Sequence, residues 1–163
     1  APFANFSAQE NDGKNLFLTP PTFNASGVRT SGGLGCAGCH RAPEFDIDPN
    51  TRNNGIIGTI AGTGIDITNT RAPSLRDLVK LDGTTNGPMM HTGVITTLQQ
   101  VIGHYGTINI APGNNNLDQR LRPNGVGQQL NLTGIEVNAV IAFLRTLSGS
   151  DVYTNPKWSN PFN

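Results

Sequence analysis

The sequence has little of what marks several common classes of protein. Charged residues make up 13% of its 163 residues and aromatic residues 6%. The absence of a basic run or a basic helix face argues against nucleic-acid binding. No apolar stretch is long enough for a transmembrane helix, so no membrane span is predicted. Lys plus Arg and Asp plus Glu both number 11, so a protein partner would meet a local patch rather than a strong overall field.

Apolar side chains are also scarce. Hydrophobic residues make up 36% of the chain, which contains 20 Gly and 11 Pro. This composition favours turns and irregular segments over long helices. The length fits one domain, predicted to span 1–163 with 1–10 and 150–163 as peripheral tails. A chain with so much loop needs something besides its own apolar side chains to organise its core.

Cysteine occurs only twice, at Cys36 and Cys39, and His40 follows directly. The Cys-x-x-Cys-His pattern is typical of c-type haem attachment. Two residues between the thiols let one turn of chain reach two neighbouring vinyl groups, and the next residue then points its imidazole at the iron. The pattern therefore predicts one haem c, covalently attached through Cys36 and Cys39, with His40 as an iron ligand.

Three other interpretations of the two cysteines compete with haem attachment. A redox dithiol like that of thioredoxin requires a βαβ context, but residues 31–35 (Ser-Gly-Gly-Leu-Gly) predict a flexible loop before the motif. A closed zinc site needs four ligands, and the only other histidines are His91 and His104. A simple disulfide or a pair of unreacted thiols would leave His40 unexplained.

The hydrophobic periodicity predicts a few short helices separated by long irregular loops. Taken with the haem motif, this makes an all-α, cytochrome c-like fold around one haem the expected class. Helices are expected at 11–18 with Asp12 as the cap, at 73–81, at 96–105 and at 133–147. Capping boxes are predicted for the last two helices, at Thr96 with Gln99 and at Thr133 with Glu136. The core-facing stripe of the last helix is predicted to comprise Ile135, Ala139, Val140, Phe143, Leu144 and Leu147.

The remaining segments are predicted to be irregular. Residues 22–35 and 106–131 are expected to be loops, and 41–72 an ordered loop that covers one haem edge. Alternation around 64–68 favours a small β-hairpin within that loop. The tail from Asp151, with Tyr153, Trp158 and Phe162, is expected to drape over the surface.

The second axial ligand must come from a small set of side chains. The candidates are Met89, Met90, His91 and His104. Methionine is the common distal ligand in electron-transfer cytochromes, and both methionines lie in the compact loop 88–93 (Pro-Met-Met-His-Thr-Gly). A structural role, bonded to the backbone or a haem propionate, is favoured for His104, and His91 is expected to support the ligand rather than to be one. Spacing alone does not decide between Met89 and Met90.

Five motifs in the same order resemble the C-terminal haem domain of the bacterial di-haem cytochrome c peroxidases. That group also includes the methylamine-utilisation di-haem enzymes. The motifs are Cys-x-x-Cys-His, then 70–77 (Thr-Arg-Ala-Pro-Ser-Leu-Arg-Asp), 88–93, 101–105 (Val-Ile-Gly-His-Tyr) and 132–147. The stretch 45–56, with Asn-Asn-Gly at 53–55, is also similar. The resemblance spans roughly residues 11–149.

The resemblance implies roles for two further residues. The family's loop usually reads Pro-Tyr-Met-His-Asp-Gly, which aligns Met89 with Tyr and puts Met90 at the ligand position. The family's Pro-Thr-Leu-Arg segment matches Arg76, whose guanidinium is then expected close to a haem propionate. The competing interpretation of Arg76 is a solvated charge on the predicted helix 73–81.

The resemblance implies electron transfer rather than catalysis. Family members carry two haem motifs and reduce peroxide at the N-terminal haem, whereas this sequence has one motif and resembles the electron-donating half. A six-coordinate His40/Met90 iron has no open position, so the prediction is a monohaem carrier of single electrons, not an enzyme. The family binds calcium between its two domains; no calcium is predicted here.

Two other functions stay open. One is a peroxidase that works at a single haem, and the other is an electron-donating subunit of a larger di-haem peroxidase-like oxidoreductase. Redox proteins are the expected partners, and the oligomeric state is left open. The expected location is the periplasm or another exported compartment, since Ala1, Pro2 and Phe3 are compatible with a mature N-terminus left by signal-peptide cleavage.

Overall fold

The computed structural model describes residues 1–43, 45–47 and 50–159. Its α-helices are α1 (Ala8–Leu18), α2 (Leu98–Gly106), α3 (Gly134–Arg145) and the single turn α4 (Asp151–Thr154). Its strands are β1 (Pro21–Phe23), β2 (Arg29–Gly32), β3 (His40–Arg41) and β4 (Asp46–Ile47). Short 3₁₀ turns lie at Cys36–Gly38, Gln119–Leu121, Pro123–Gly125 and Pro156–Trp158. No helix in these described ranges is long and apolar enough to cross a membrane.

The predicted all-α class is wrong. About 30% of the chain is helical when the 3₁₀ turns are included, and about 12% is strand or isolated β-bridge, so the fold mixes α and β structure. β1 pairs antiparallel with β2, and β3 with β4, as two separate ribbons. Strands of two to four residues leave too little alternation to detect in a sequence, which is why 22–35 was predicted as loop. The prediction of one domain over 1–163 is not tested by these elements and stays a prediction.

The β1–β2 ribbon forms because the chain reverses tightly after Phe23. Asn24 accepts a bond from the Gly27 amide at 3.0 Å, and Gly27 has a left-handed φ of 75°. A Cβ at Gly27 would also lie 2.7 Å from Val126, so only glycine fits this turn.

The core forms where α1 crosses α3. Gly13 permits the close approach, since a Cβ there would lie 1.9 Å from the Ala139 carbonyl oxygen. Phe17 and Phe143 pack with ring centroids 5.3 Å apart, and Phe45 lies 5.8 Å from Phe17 and 5.9 Å from Phe143. Phe45 thereby fastens the segment after His40 to the helical core.

α1, α2 and α3 each begin with a capping box, but the cap of α1 and the box of α2 were predicted at the wrong residues. α1 begins at Ser7 with Glu10 rather than at Asp12, and α2 at Thr97 with Gln100, one residue later than predicted. The box of Thr133 with Glu136 on α3 is confirmed.

The predicted stripe on α3 is only partly confirmed. Ala139, Val140, Phe143 and Leu144 are buried. Ile135 is 83% exposed, so the stripe does not extend to the first turn of α3. Leu147 lies beyond the end of α3 and packs against the edge of the core.

The predicted helix at 73–81 is wrong. The backbone amides of Leu75 and Asp77 donate to distant carbonyls, of Phe45 at 3.1 Å and Leu147 at 3.1 Å. Asp77 has a left-handed φ of 62°, which ends any helical run. Leu75, Leu78 and Val79 therefore pack against the core from a segment that is not helical.

The hairpin predicted around 64–68 is also absent from the described residues. Residues 57–66 instead form a loop closed by the Asp66 amide, which donates to the Ile57 carbonyl at 2.7 Å. Within the tail, α4 and the turn at Pro156–Trp158 are described. Phe162 and the side chains of Tyr153 and Trp158 lie outside what the structure describes.

Candidate functional site

The Cys-x-x-Cys-His motif lies on one tight turn between the two β-ribbons. The Gly38 amide donates to the Gly35 carbonyl at 2.9 Å, and the Cys39 amide to the Cys36 carbonyl at 3.1 Å. Gly35 has a φ of 70°, and a Cβ there would lie 2.7 Å from Pro21. The turn requires glycine at this position, and it brings the two cysteines and His40 onto one short segment.

Cys36 does not have the properties of the nucleophile of a redox dithiol. No disulfide joins Cys36 and Cys39. Burial raises the pKa of the Cys36 thiol to about 12, and the neighbouring Cys39 adds to the effect. A nucleophilic cysteine of a thioredoxin-like site has a lowered pKa instead, and the ribbons around the turn are not a βαβ unit. The structure therefore speaks against this interpretation.

His40 is oriented by two backbone carbonyls. Its Nδ1 lies 3.0 Å from the Pro73 oxygen and 3.3 Å from the Phe45 oxygen. With Nδ1–H donating to these carbonyls, the lone pair is on Nε2. Burial lowers the pKa of His40, and the two carbonyls oppose that effect only in part. The ring is therefore neutral near pH 7, the form in which histidine binds metals.

Arg120 contacts the second cysteine, a contact the sequence analysis missed. Its Nη1 lies 3.2 Å from Cys39 Sγ, and the same nitrogen lies 3.5 Å from Asp118 Oδ2. Asp118 is buried and also accepts the Arg52 backbone amide at 2.9 Å. The segment 118–121 is thus held beside the turn. The sequence does not reveal this contact, because Arg120 lies 81 positions from Cys39 and neither charge patterning nor periodicity relates the two residues.

The two methionines of the 88–93 loop have different surroundings. Met89 donates its amide to the Ile95 carbonyl at 2.7 Å, and its side chain packs against the hydrophobic core. Met90 has a left-handed φ of 67° and accepts the Gly93 amide at 3.1 Å. Met90 Sδ lies 3.6 Å from the Nδ2 of Asn54. The Met89 side chain therefore serves packing, whereas the Met90 sulfur has a polar neighbour.

Asn54 contacts both Met90 and His104. Its carbonyl oxygen accepts His104 Nε2 at 2.9 Å, so His104 is bonded to the backbone in the way predicted for a structural histidine. Burial raises the pKa of Tyr105, the residue after His104, and the charges of Cys39 and Cys36 add to this shift, whereas Asn54 opposes it.

His91 and Thr92 carry buried polar atoms next to Met90. His91 Nε2 lies 3.0 Å from the Gly58 carbonyl oxygen. In the described part of the chain, His91 Nδ1 and Thr92 Oγ1 are buried with no hydrogen-bond partner. Burying a polar atom without a hydrogen bond lowers the stability of the folded state, so these two atoms destabilise the loop next to Met90.

No cluster of three or more His, Cys, Asp or Glu side chains in residues 1–43, 45–47 and 50–159 could hold a metal ion. This finding speaks against the zinc interpretation, which needs four such ligands.

Arg76 is exposed and lies beside the segment that follows His40. Its Nη2 donates to the Pro43 carbonyl at 3.0 Å. The interpretation of Arg76 as a charge on a helix is wrong, since the segment is not helical. Its predicted contact with a haem propionate stays a prediction.

The donor set fits a covalently attached haem. Cys36 and Cys39 share one turn, His40 keeps an Nε2 lone pair, and Met90 offers a thioether whose sulfur contacts the Asn54 amide. Thiols, imidazole and thioether are the groups that bind c-type haem and its iron. Sequence analysis identified Cys36, Cys39, His40 and Met90 as candidates, and it included Asn54 and Tyr105 in motifs of the family resemblance without assigning them a role. It missed Arg120, because a loop arginine gives no periodic signal.

Comparisons with known proteins give one informative similarity. No family model and no curated protein matches the chain. A crystal structure of a MauG-like protein associated with microbial copper homeostasis matches with a TM-score of 0.58 and 26% sequence identity. The match covers 98% of this chain and 53% of the other, so this chain spans about half of that protein's length.

The similarity supports a cytochrome c peroxidase-like haem protein in general terms. MauG-like proteins belong with the methylamine-utilisation di-haem enzymes that the sequence resembles. The match does not favour an electron carrier over a peroxidase, and it gives no support to the prediction that the chain is not an enzyme.

Proposed function

We propose that this chain is a monohaem c-type cytochrome that transfers single electrons. One haem c would be attached through thioether bonds to Cys36 and Cys39, with His40 and Met90 as the axial ligands of the iron. The observation that carries the proposal is the 3.0 Å contact between His40 Nδ1 and the Pro73 carbonyl. A backbone acceptor on one ring nitrogen fixes the tautomer and leaves the other nitrogen to a metal.

The protein would provide the coordination and the environment. When bound, the haem supplies a one-electron iron couple, and methionine ligation favours its ferrous state. His40 is held by the carbonyls of Pro73 and Phe45, and Phe45 is itself locked between two core phenylalanines. Such a rigid ligand keeps rearrangement small when the oxidation state changes.

Partners and location follow from the same proposal. The electron donor and acceptor would be redox proteins that meet the cytochrome through a local patch, because the formal net charge is zero. Arg76, exposed beside the loop after His40, would pair with a haem propionate. The protein would act in the periplasm or another exported compartment.

The copper association belongs to the structural neighbour. The described residues contain no group of three or more His, Cys, Asp or Glu that could bind a metal ion, and no copper site is proposed.

A second candidate function is a haem peroxidase, alone or as part of a larger oxidoreductase. One observation favours it. The structural neighbour is MauG-like and about twice as long as this chain. If Met90 left the iron, a coordination position would open for peroxide.

The two functions differ in peroxide turnover. The test is to measure steady-state peroxide reduction by the purified haem-loaded protein, starting from both redox states, together with electron exchange with a small c-type cytochrome. The electron-carrier proposal predicts fast exchange and no peroxide turnover above that of free haem. Sustained turnover in either state would make the peroxidase the correct function.

A further inference from the structure

We propose that Asn54 is a positioning residue for Met90: its side-chain amide donates a hydrogen bond to the thioether sulfur and strengthens the bond between Met90 and the haem iron. The inference rests on the proposed His40/Met90 coordination. Asn54 Nδ2 and Met90 Sδ are 3.6 Å apart, within the range for the large and weakly accepting sulfur atom.

The orientation of the Asn54 amide is determined by its other bonds. Oδ1 accepts the Ile56 backbone amide at 3.0 Å. A flipped side chain would set an NH₂ group against that N–H, so the oxygen must face Ile56 and the nitrogen must face Met90.

The backbone of Asn54 is equally fixed. Its carbonyl accepts His104 Nε2 at 2.9 Å. The preceding Asn53 is fully buried, and its Oδ1 accepts both the Gly55 amide and the Asn114 side-chain amide at 2.9 Å. Asn54 therefore emerges from a rigid anchor, and the sulfur can approach it only when the 88–93 loop is correctly placed.

The hydrogen bond from Asn54 helps to hold the Met90 side chain, because the backbone of Met90 is itself strained. A non-glycine residue with a φ of 67° is held by its surroundings. A thioether sulfur has two lone pairs, so one can bind iron while the other accepts the Asn54 amide. Without the amide, Met90 would sample other rotamers, and an external ligand would displace it more easily.

Displacement of Met90 by imidazole in the ferric haem-loaded protein isolates this effect. Methionine and imidazole are both neutral ligands. A changed charge at position 54 therefore shifts the free energies of the Met90-ligated and the imidazole-ligated protein by almost the same amount. Asn54→Asp keeps an acceptor for the Ile56 amide but cannot donate to the sulfur, and Asn54→Leu loses both contacts. Asn24→Leu is the matched control, because Asn24 also caps its own turn, accepting the Ser26 and Val28 amides, but lies outside the site.

The expected result is that both Asn54 variants bind imidazole about two- to fivefold more tightly than the wild type, the size of one weak hydrogen bond. The Asn24→Leu control should bind as the wild type does. Equal affinities in all four proteins would overturn the inference. So would a change in Asn54→Leu alone, which would assign the effect to the Ile56 turn.

The near-infrared absorption spectrum distinguishes failure of this inference from failure of the proposed function. If the wild-type ferric protein lacks the near-infrared band of sulfur-ligated haem, Met90 is not a ligand, and both are overturned. If the band is present while imidazole affinities are unchanged, only the role of Asn54 falls.

Discussion

His40 Nδ1 and the Pro73 carbonyl oxygen lie 3.0 Å apart although the two residues are 33 positions apart in sequence. The contact joins the cysteine turn to the segment that carries Arg76. The same segment is not helical, so the His40 contact accompanies a backbone course that the local apolar spacing did not predict.

The cysteine pair is expected to hold haem covalently. In a Cys36→Ser/Cys39→Ser double variant, acidified organic solvent should extract all haem, because no thioether remains. The wild type should retain its haem under the same treatment, measured as the pyridine haemochrome of the protein fraction. Each single variant should retain haem through one thioether and show a shifted haemochrome band. Complete extraction from the wild type would contradict covalent attachment.

The crossing of α1 and α3 is expected to depend on Gly13. Gly13→Ala would place a methyl group against the Ala139 carbonyl, so the free energy of unfolding should fall by about 2 kcal/mol or more. Gly103→Ala in α2 is the control, because nothing lies within 4 Å of a Cβ there. That change should raise the free energy of unfolding by about 0.5–1 kcal/mol.

Urea unfolding of the haem-loaded variants measures both effects. Equal stability of the two glycine variants would show that α1 and α3 do not approach as closely as described.

His104 is expected to make the folded protein less stable in mild acid. Burial lowers its pKa below the ordinary value of 6.5, and the Asn54 carbonyl offsets only part of this. Above pH 6.5 the ring is neutral in both the folded and unfolded states, so no stability is lost. As the pH falls below 6.5, the unfolded chain binds the proton first, and the free energy of unfolding decreases until the folded ring also titrates.

The measurement is urea unfolding at pH 7.5, 6.5 and 5.5 for the wild type and His104→Gln. Relative to the variant, the free energy of unfolding of the wild type should decrease from pH 7.5 to pH 5.5, because unfolding takes up protons in this range. A wild type whose stability rises from pH 6.5 to 5.5 relative to the variant would contradict the sign of the pKa shift.

Sequence patterns located the features that depend on a few neighbouring residues. The Thr133 capping box, the tight Cys-x-x-Cys-His turn and the compact 88–93 loop are local, and the structure contains all three. The two ribbons are not local in this sense, because their strands are too short to show alternation. The resulting all-α expectation was wrong.

The site was predictable only where a residue type is chemically distinctive. Cysteine, histidine and methionine are few in this chain, so spacing and resemblance could select Cys36, Cys39, His40 and Met90. Asn54 is one of many asparagines, and its importance comes from contacts with Met90 and His104, which lie 36 and 50 positions away. Such contacts depend on loop packing, which no periodicity encodes.

The near-infrared absorption spectrum of the purified ferric protein tests the central claim most directly. The charge-transfer band of methionine-ligated haem should be present in the wild type and in Met89→Leu, whose side chain only packs against the core. The band should be absent in Met90→Leu, with the iron becoming high-spin. A wild type without the band, or a Met90→Leu protein that keeps it, would contradict His40/Met90 coordination.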